Sequence, residues 1–299
     1  MISVRAWHRR AARWIVVATL PAAAACSLFY PFDDITIGEG PRDGSASDAL
    51  ASDVSSSETG VPESGVPDRS SPGCPGERGS AMVRITVAGV ADFCIDSTEV
   101  TRAQYQAFLD SSEQRIRPDA ACTTNTSYLP AAPFPDLDSS LPVGKIDWCD
   151  AYAFCAWAGK RLCGAIGGGP LAPDATTDPD KGEWILACTK HGGRAYSYGG
   201  QSYVDGSCNS GFGDSGGAVL PVASLPTCQG GYDGVFDMIG NVYEWENSCD
   251  GVPGAEDAMC SDQGGSFRTS NGCKASGMTP HFWQFSGDWG IRCCADVKN

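Results

Sequence analysis

The sequence has little histidine, few basic residues and no long apolar run. Only His8, His191 and His281 occur in 299 residues. His191 and His281 have no second histidine at i+3 or i+4, which argues against a zinc site or a two-histidine iron triad. Lysine and arginine total 21 against 36 acids, a net charge of −15. Residues 1–26 carry Arg5, Arg9, Arg10 and Arg13 and no acid, so the remainder stands at 17 − 36 = −19. That balance excludes nucleic acid and anionic lipid as electrostatic partners. The apolar run from Trp14 to Ala25 falls short of the ~20 residues that cross a bilayer.

Cysteine, in contrast, is abundant and odd in number: 15, with no C-x-x-C pair. Fourteen of them run from Cys74 to Cys294, a density that implies disulfides and a location outside the reducing cytosol. The fifteenth, Cys26, closes a basic, apolar leader. Ala23-Ala24-Ala25-Cys26 resembles a bacterial lipobox, with Ala23 in place of the usual leucine. This predicts a lipoprotein signal peptide over 1–26 and lipidation at Cys26, a membrane anchor rather than a span. The alternative is an ordinary signal peptide cut nearby, with Cys26 incidental.

Residues 27–73 are rich in Ser, Asp, Gly and Pro, with nine acids and two bases. Such a segment cannot bury enough apolar surface to offset its ordering entropy and reads as a disordered acidic tether. Residues 74–299 are long enough for one domain with a core. Thr101 caps a predicted helix through Asp110. Asp147 and Asp150 have capping-box spacing before a helix that ends at Gly159, and Asp180 and Glu183 repeat it before Trp184 and Cys188. Strand candidates are Met82–Val87, Phe93–Ile95, Val235–Met238 and Gly290–Cys293. No βαβ alternation and no repeat is present, so the fold class is an irregular, disulfide-rich α+β domain.

Two motifs mimic active sites. GDSGG (Gly213 to Gly217) matches a serine-protease nucleophile, but His191 lies in KHGGR and is too close upstream to serve as its base. GAIGGG (Gly164 to Gly169) lacks the preceding strand and the Lys-Ser/Thr of a phosphate loop. Both read as glycine-rich loops.

Six blocks in order carry a family resemblance: FCIDSTEVTRAQYQAFL (Phe93 to Leu109), PVGKIDWCDAYAFCAWAGKRL (Pro142 to Leu162), GEWILACTKHGG (Gly182 to Gly193), GVFDMIGNVYEWE (Gly234 to Glu246), GGSF (Gly264 to Phe267) and GIRCCAD (Gly290 to Asp296). Together they resemble the formylglycine-generating enzyme, or sulfatase-modifying factor, family over most of 80–296. The resemblance implies a C-type-lectin-like fold with low regular secondary structure and bound calcium. The calcium ligands carry over onto Asp237 and Glu244 and the carbonyls of Gly240 and Val242, two acids around a Gly-Asn turn. A second calcium site would begin at Asn209, without a clear later acid.

Active members oxidise a sulfatase cysteine to formylglycine with O₂ and Cu(I) held by two thiolates. Here Thr269 stands at the first thiolate and Lys274 or Cys273 near the second, so the site around Ser266, Thr269 and Cys273 reads as degenerate and Cu(I) is not expected. The family implies disulfides Cys155–Cys293 and Cys188–Cys273. The other ten cysteines can pair locally as Cys74–Cys94, Cys122–Cys149, Cys208–Cys228, Cys249–Cys260 and Cys163–Cys294, a connectivity that spacing alone does not fix.

The expectation is a monomeric, lipid-anchored, extracytoplasmic envelope protein, in the periplasm or at the cell surface. Its non-catalytic groove, bordered by Phe282, Trp283, Phe285 and Trp289, would bind protein, peptide or glycan. The alternatives are an active formylglycine-generating oxidase and a structural envelope protein.

Overall fold

The computed structural model describes residues 65–113, 122–123, 125–132, 138–211, 217–252, 255, 257–269, 271–280 and 288–298. All lie within the compact unit Glu58–Asn299. Cys26, most of the tether, Gly213–Gly216, His281, Phe282, Trp283 and Phe285 lie outside the described residues.

Eight short strands and three helices form the frame. Strands β1 (Met82–Ile85), β2 (Phe93–Asp96), β3 (Arg161–Leu162) and β8 (Cys293–Asp296) make one antiparallel sheet in the order β1-β2-β8-β3. Strands β4 (Tyr243–Asp250), β5 (Met259–Gln263), β6 (Ser276–Pro280) and β7 (Trp289–Gly290) make a second in the order β6-β5-β4-β7. Its pairings are antiparallel except β4 with β7, which run parallel. Val235–Met238 is not a strand. Asp237 takes φ 56°, and Phe236 makes only an isolated bridge to Gln229.

Helix α1 (Arg102–Asp110) starts at Thr101 and helix α2 (Trp148–Trp157) at Asp147, each through a reciprocal capping box. Helix α3 (Glu183–Thr189) corrects the third capping expectation. Its N-cap is Gly182, with no side-chain cap. Glu183 turns instead to Arg161, whose two terminal nitrogens reach its oxygens at 2.6 Å, and it accepts from the Gly164 amide at 3.1 Å. Asp180 is drawn to His191 Nε2 at 2.8 Å. The strong bidentate pair outcompetes the local cap.

The tether boundary also moves. Composition assigns 65–73 to it, but Ser71 donates to Met82 O at 2.7 Å, Ser70 Oγ accepts from Met82 N, and Gly73 O accepts from Lys298 N. Backbone pairing along β1 orders a segment with almost no apolar side chains of its own.

Apolar side chains cluster around α2 (Tyr105, Phe108, Trp148, Phe154, Trp245) and around α3 (Phe93, Ile95, Trp184, Leu186, Met238). Seven disulfides staple these clusters: Cys74–Cys94, Cys122–Cys149, Cys155–Cys293, Cys163–Cys294, Cys188–Cys273, Cys208–Cys228 and Cys249–Cys260. These are the pairs named from the sequence.

Ionic groups are buried among the apolar ones. Lys160 and Asp96, both with fully buried side chains, pair at 2.5 Å, and Asp96 also accepts from the Cys293 amide. On β4, Glu246 accepts from Gln263 Nε2 of β5, while Glu246 Oε1 and Gln263 Oε1 find no protein partner. Burial pushes the Glu246 carboxyl up to about 8.

Two outcomes follow for stability. Lys160→Met strands the Asp96 carboxylate and should lower the unfolding free energy by about 3–5 kcal/mol, read from chemical denaturation; a loss below about 1 kcal/mol would contradict the pairing. Glu246 has a folded pKa above its unfolded value of about 4.3. Its stabilising contribution is complete below that unfolded value and is lost as pH rises through about 8. Melting curves should therefore fall over that window, and Glu246→Gln should flatten the fall. An unchanged slope in the variant would refute this assignment.

Candidate functional site

The segment that would carry the family's thiolates follows β5. Ser266 and Thr269 close a tight turn: Thr269 Oγ1 accepts from Ser266 N at 2.8 Å, and Thr269 N donates to Ser266 O at 2.9 Å. Ser266 Oγ reaches Asp288 Oδ2 at 3.3 Å, and Arg268 Nη1 meets the same oxygen at 3.0 Å. Cys273 is fully buried and bridged to Cys188 of α3. The donor set is a hydroxyl and a disulfide, which does not fit Cu(I); that soft ion needs thiolates. All fourteen cysteines of the described residues are in disulfides.

Beside this turn lies a cavity of about 210 Å³, lined chiefly by Tyr243, Asp262, Asn271, Ser276, Thr279 and Trp289. The parallel β4–β7 pairing sets Tyr243 opposite Trp289, and their rings stack at 5.2 Å and 19°. The Asp262 carboxylate accepts from Thr279 Oγ1 at 2.6 Å and from Trp289 Nε1 at 3.2 Å. Across from it on β6, a Cβ on Gly277 would come within 2.6 Å of Asp262 Oδ1, so the carboxylate occupies the space a side chain would need. Burial raises the Asp262 pKa, opposed by the Thr279, Trp289 and Gly277 donors. Burial also raises that of the Tyr243 phenol, as do the nearby Asp262 and Asp288 charges. A larger cavity of about 540 Å³ near Val66, Ser97 and Gln104 has, among the described residues, Asp68 as its one ionisable lining group.

The expected calcium residues are brought together, but in other roles. Glu244 is 1% exposed. Arg292 Nε lies 2.9 Å from both of its oxygens, and Trp184 Nε1 donates to Oε2. Asp237 Oδ2 accepts from the Ala223 amide. Gly240 has φ 81°, and a Cβ there would lie 2.2 Å from Asn209 O, which fixes the turn. Asn241 straps that turn: its Nδ2 donates to Glu99 Oε2 and Leu220 O, and its Oδ1 accepts from Leu220 N and Asn209 Nδ2. Val242 N donates to Glu99 Oε1.

Glu99, inside the STEVT stretch, is a buried acid that sequence reasoning missed. Burial lifts its pKa well above the usual range, and the Asp237 and Glu244 charges add to that. Asn209 Oδ1 is buried without a protein partner. Among the described residues no group of three or more His, Cys, Asp or Glu side chains is set to hold a metal. At Glu244 the Arg292 guanidinium contacts both carboxylate oxygens, the position a cation would take.

With Glu244 held by Arg292, stripping divalent ions with EGTA should leave the melting temperature unchanged. A fall of more than about 4 °C on chelation, reversed by added calcium, would assign calcium to this set.

Residues 68–297 match the family described as "Sulfatase-modifying factor enzyme 1-like domain". The chain is similar to the "Formylglycine-generating enzyme" of Mus musculus, 33% identical over 125 residues, which is 36% of this chain and 27% of the relative. It is also similar to the "Inactive C-alpha-formylglycine-generating enzyme 2" of Bos taurus, 32% identical over 131 residues, 40% of this chain and 37% of the relative. The chain thus spans well under half the length of each curated relative. Among solved structures, PvdO from Pseudomonas aeruginosa is 18% identical with a TM-score of 0.45, over 68% of this chain and 80% of that one. The chain, an α+β, disulfide-rich domain, thus belongs to the sulfatase-modifying factor, or formylglycine-generating enzyme, family.

Proposed function

We propose that this family member is a non-catalytic binding module, held by a lipid at Cys26 outside the cytoplasm, that takes a protein, peptide or glycan in the groove at Tyr243 and Trp289. The observation that carries this reading is the Cys188–Cys273 bridge. It removes the nearest thiol from the place where the family's copper chemistry would need two, and Thr269 supplies only a hydroxyl already tied to Ser266. Thiolate, not disulfide sulfur, is the ligand and the reactive form. The aromatic pocket beside the turn is nevertheless intact, and aromatic side chains with few charges suit recognition. Seven disulfides favour an oxidising compartment. Among the described residues no helix is long and apolar enough to cross a membrane, so attachment in this reading rests on the acyl chain.

Thiol titration of the purified full chain, denatured but unreduced, tests the reading together with Cu(I) titration against a chromogenic chelator. Cys26 is the sole thiol expected to react, and only where it lacks its acyl group; Cu(I) should stay with the chelator. Two or more reactive thiols with tight Cu(I) binding, or conversion of a cysteine-containing sulfatase peptide to formylglycine, would overturn the binding-module reading.

A further inference from the structure

Several buried carboxylates meet a cation within the fold: Asp96 meets Lys160, Glu183 meets Arg161 and Glu244 meets Arg292. Asp262 meets none and, unlike Glu246, which also lacks one, it lines a cavity. It is 2% exposed, sits on an inner strand between β4 and β6, and among the described residues no lysine, arginine or histidine pairs with it. Its partners are neutral donors: the Thr279 hydroxyl, the Trp289 indole and the Gly277 amide. Burial favours the neutral form of this carboxyl; the three donors oppose that and fix it in place, but bring no countercharge. A buried charge without an opposite charge is costly, and a ligand that brings one gains what the fold lacks.

The cavity that Asp262 lines points to the kind of countercharge. Its wall is the Tyr243–Trp289 stack, and the indole N–H bonded to Asp262 holds the Trp289 ring in one orientation. Aromatic faces carry the negative end of the ring quadrupole and attract cations within about 6 Å. Asn271 and Ser276 add neutral polar groups, and among the described residues no basic one lines the cavity. A volume of about 210 Å³ is below the ~300 Å³ at which drug-sized pockets begin, so it admits a head group and not a whole ligand. The net charge of −15 draws cations towards the chain. A neutral sugar would meet the ring but leave Asp262 uncompensated, and three donors already serve that carboxylate.

We propose that the Asp262–Tyr243–Trp289 pocket binds a compact organic cation, an ammonium or methylated ammonium group carried by a peptide side chain or a small molecule. This rests on the binding-module reading and names its ligand class.

Calorimetric titration of the full chain tests it with three probes: choline, Nα-acetyl-lysine amide, and 3,3-dimethylbutan-1-ol, the uncharged carbon isostere of choline. At least one cation should bind saturably and about ten-fold or more tighter than the isostere. Stronger choline binding would indicate a quaternary head group, and stronger lysine binding a peptide. Asp262→Asn should abolish the preference, and Trp289→Phe should weaken it several-fold; melting curves check that both variants fold. Should Asp262→Asn not fold, the comparison of choline with its isostere on the native chain decides. Equal affinity for charged and neutral probes, or no binding of either cation, would overturn the proposal. Saturable binding of neutral glycans in that case would leave the binding-module reading standing, whereas Cu(I) binding with free thiols would remove that reading itself.

Discussion

The buried guanidinium of Arg292 is the interaction on which the rest of the structure depends. It is 0% exposed and adjoins β8. Its Nε lies 2.9 Å from both oxygens of Glu244 on β4, Nη1 donates to Asp96 O of β2 at 2.8 Å, and Nη2 donates to Phe236 O at 2.7 Å. One planar fork thereby ties the first sheet, the second sheet and the loop that leads into the Gly-Asn turn. Lysine offers a point charge and could not make these divergent bonds. Burial works against its charge, and the Glu244, Glu99 and Asp237 carboxylates hold it protonated. An ion of this kind stabilises only if its donors are met, which is why the Asp96 and Phe236 carbonyls turn inward to it.

The parts of this fold that were legible in the sequence are those decided locally. Thr101 with Gln104, and Asp147 with Asp150, announce α1 and α2 because both halves of a capping box lie within four residues. Helix α3 was legible as a helix but not in its cap, since Arg161, 22 residues away, takes Glu183. Strands β4, β5 and β6 were not legible. Glu244, Glu246, Ser248, Asp262 and Gln263 are polar and give no apolar alternation, yet all are buried, and only partners distant in sequence make that tolerable. The candidate site divides in the same way. Thr269 and Cys273 were marked by a short motif, and Trp289 by its aromatic neighbourhood. Asp262 and Tyr243 join them only through strand register, which a sequence does not display.

The disulfides and the chemistry of the site are linked through Cys273. Its partner Cys188 sits 85 residues away on α3, so the bridge closes a long loop and removes substantial entropy from the unfolded chain. It anchors the segment after the Ser266–Thr269 turn to the core cluster around Trp184 and Leu186. A thiolate pair for a soft metal would need two reduced sulfurs in this segment. In this segment Thr269 is tied to Ser266, and Cys273 is held in a buried bridge.

The groove in turn inherits its shape from Arg292. Glu244 pairs with Gly290 in the parallel β4–β7 ladder, and Gly290 stands two residues before Arg292. The grip of Arg292 on Glu244 therefore sets which residue of β7 faces which residue of β4. That register places Tyr243 against Trp289, and Trp289 in place directs its N–H to Asp262. A slip of β7 by one residue would send the Trp289 ring to the opposite face and leave Asp262 with fewer donors. The pocket is thus a consequence of the buried ion pair. That register, and with it the aromatic wall and its carboxylate, is set without any contribution from position 269.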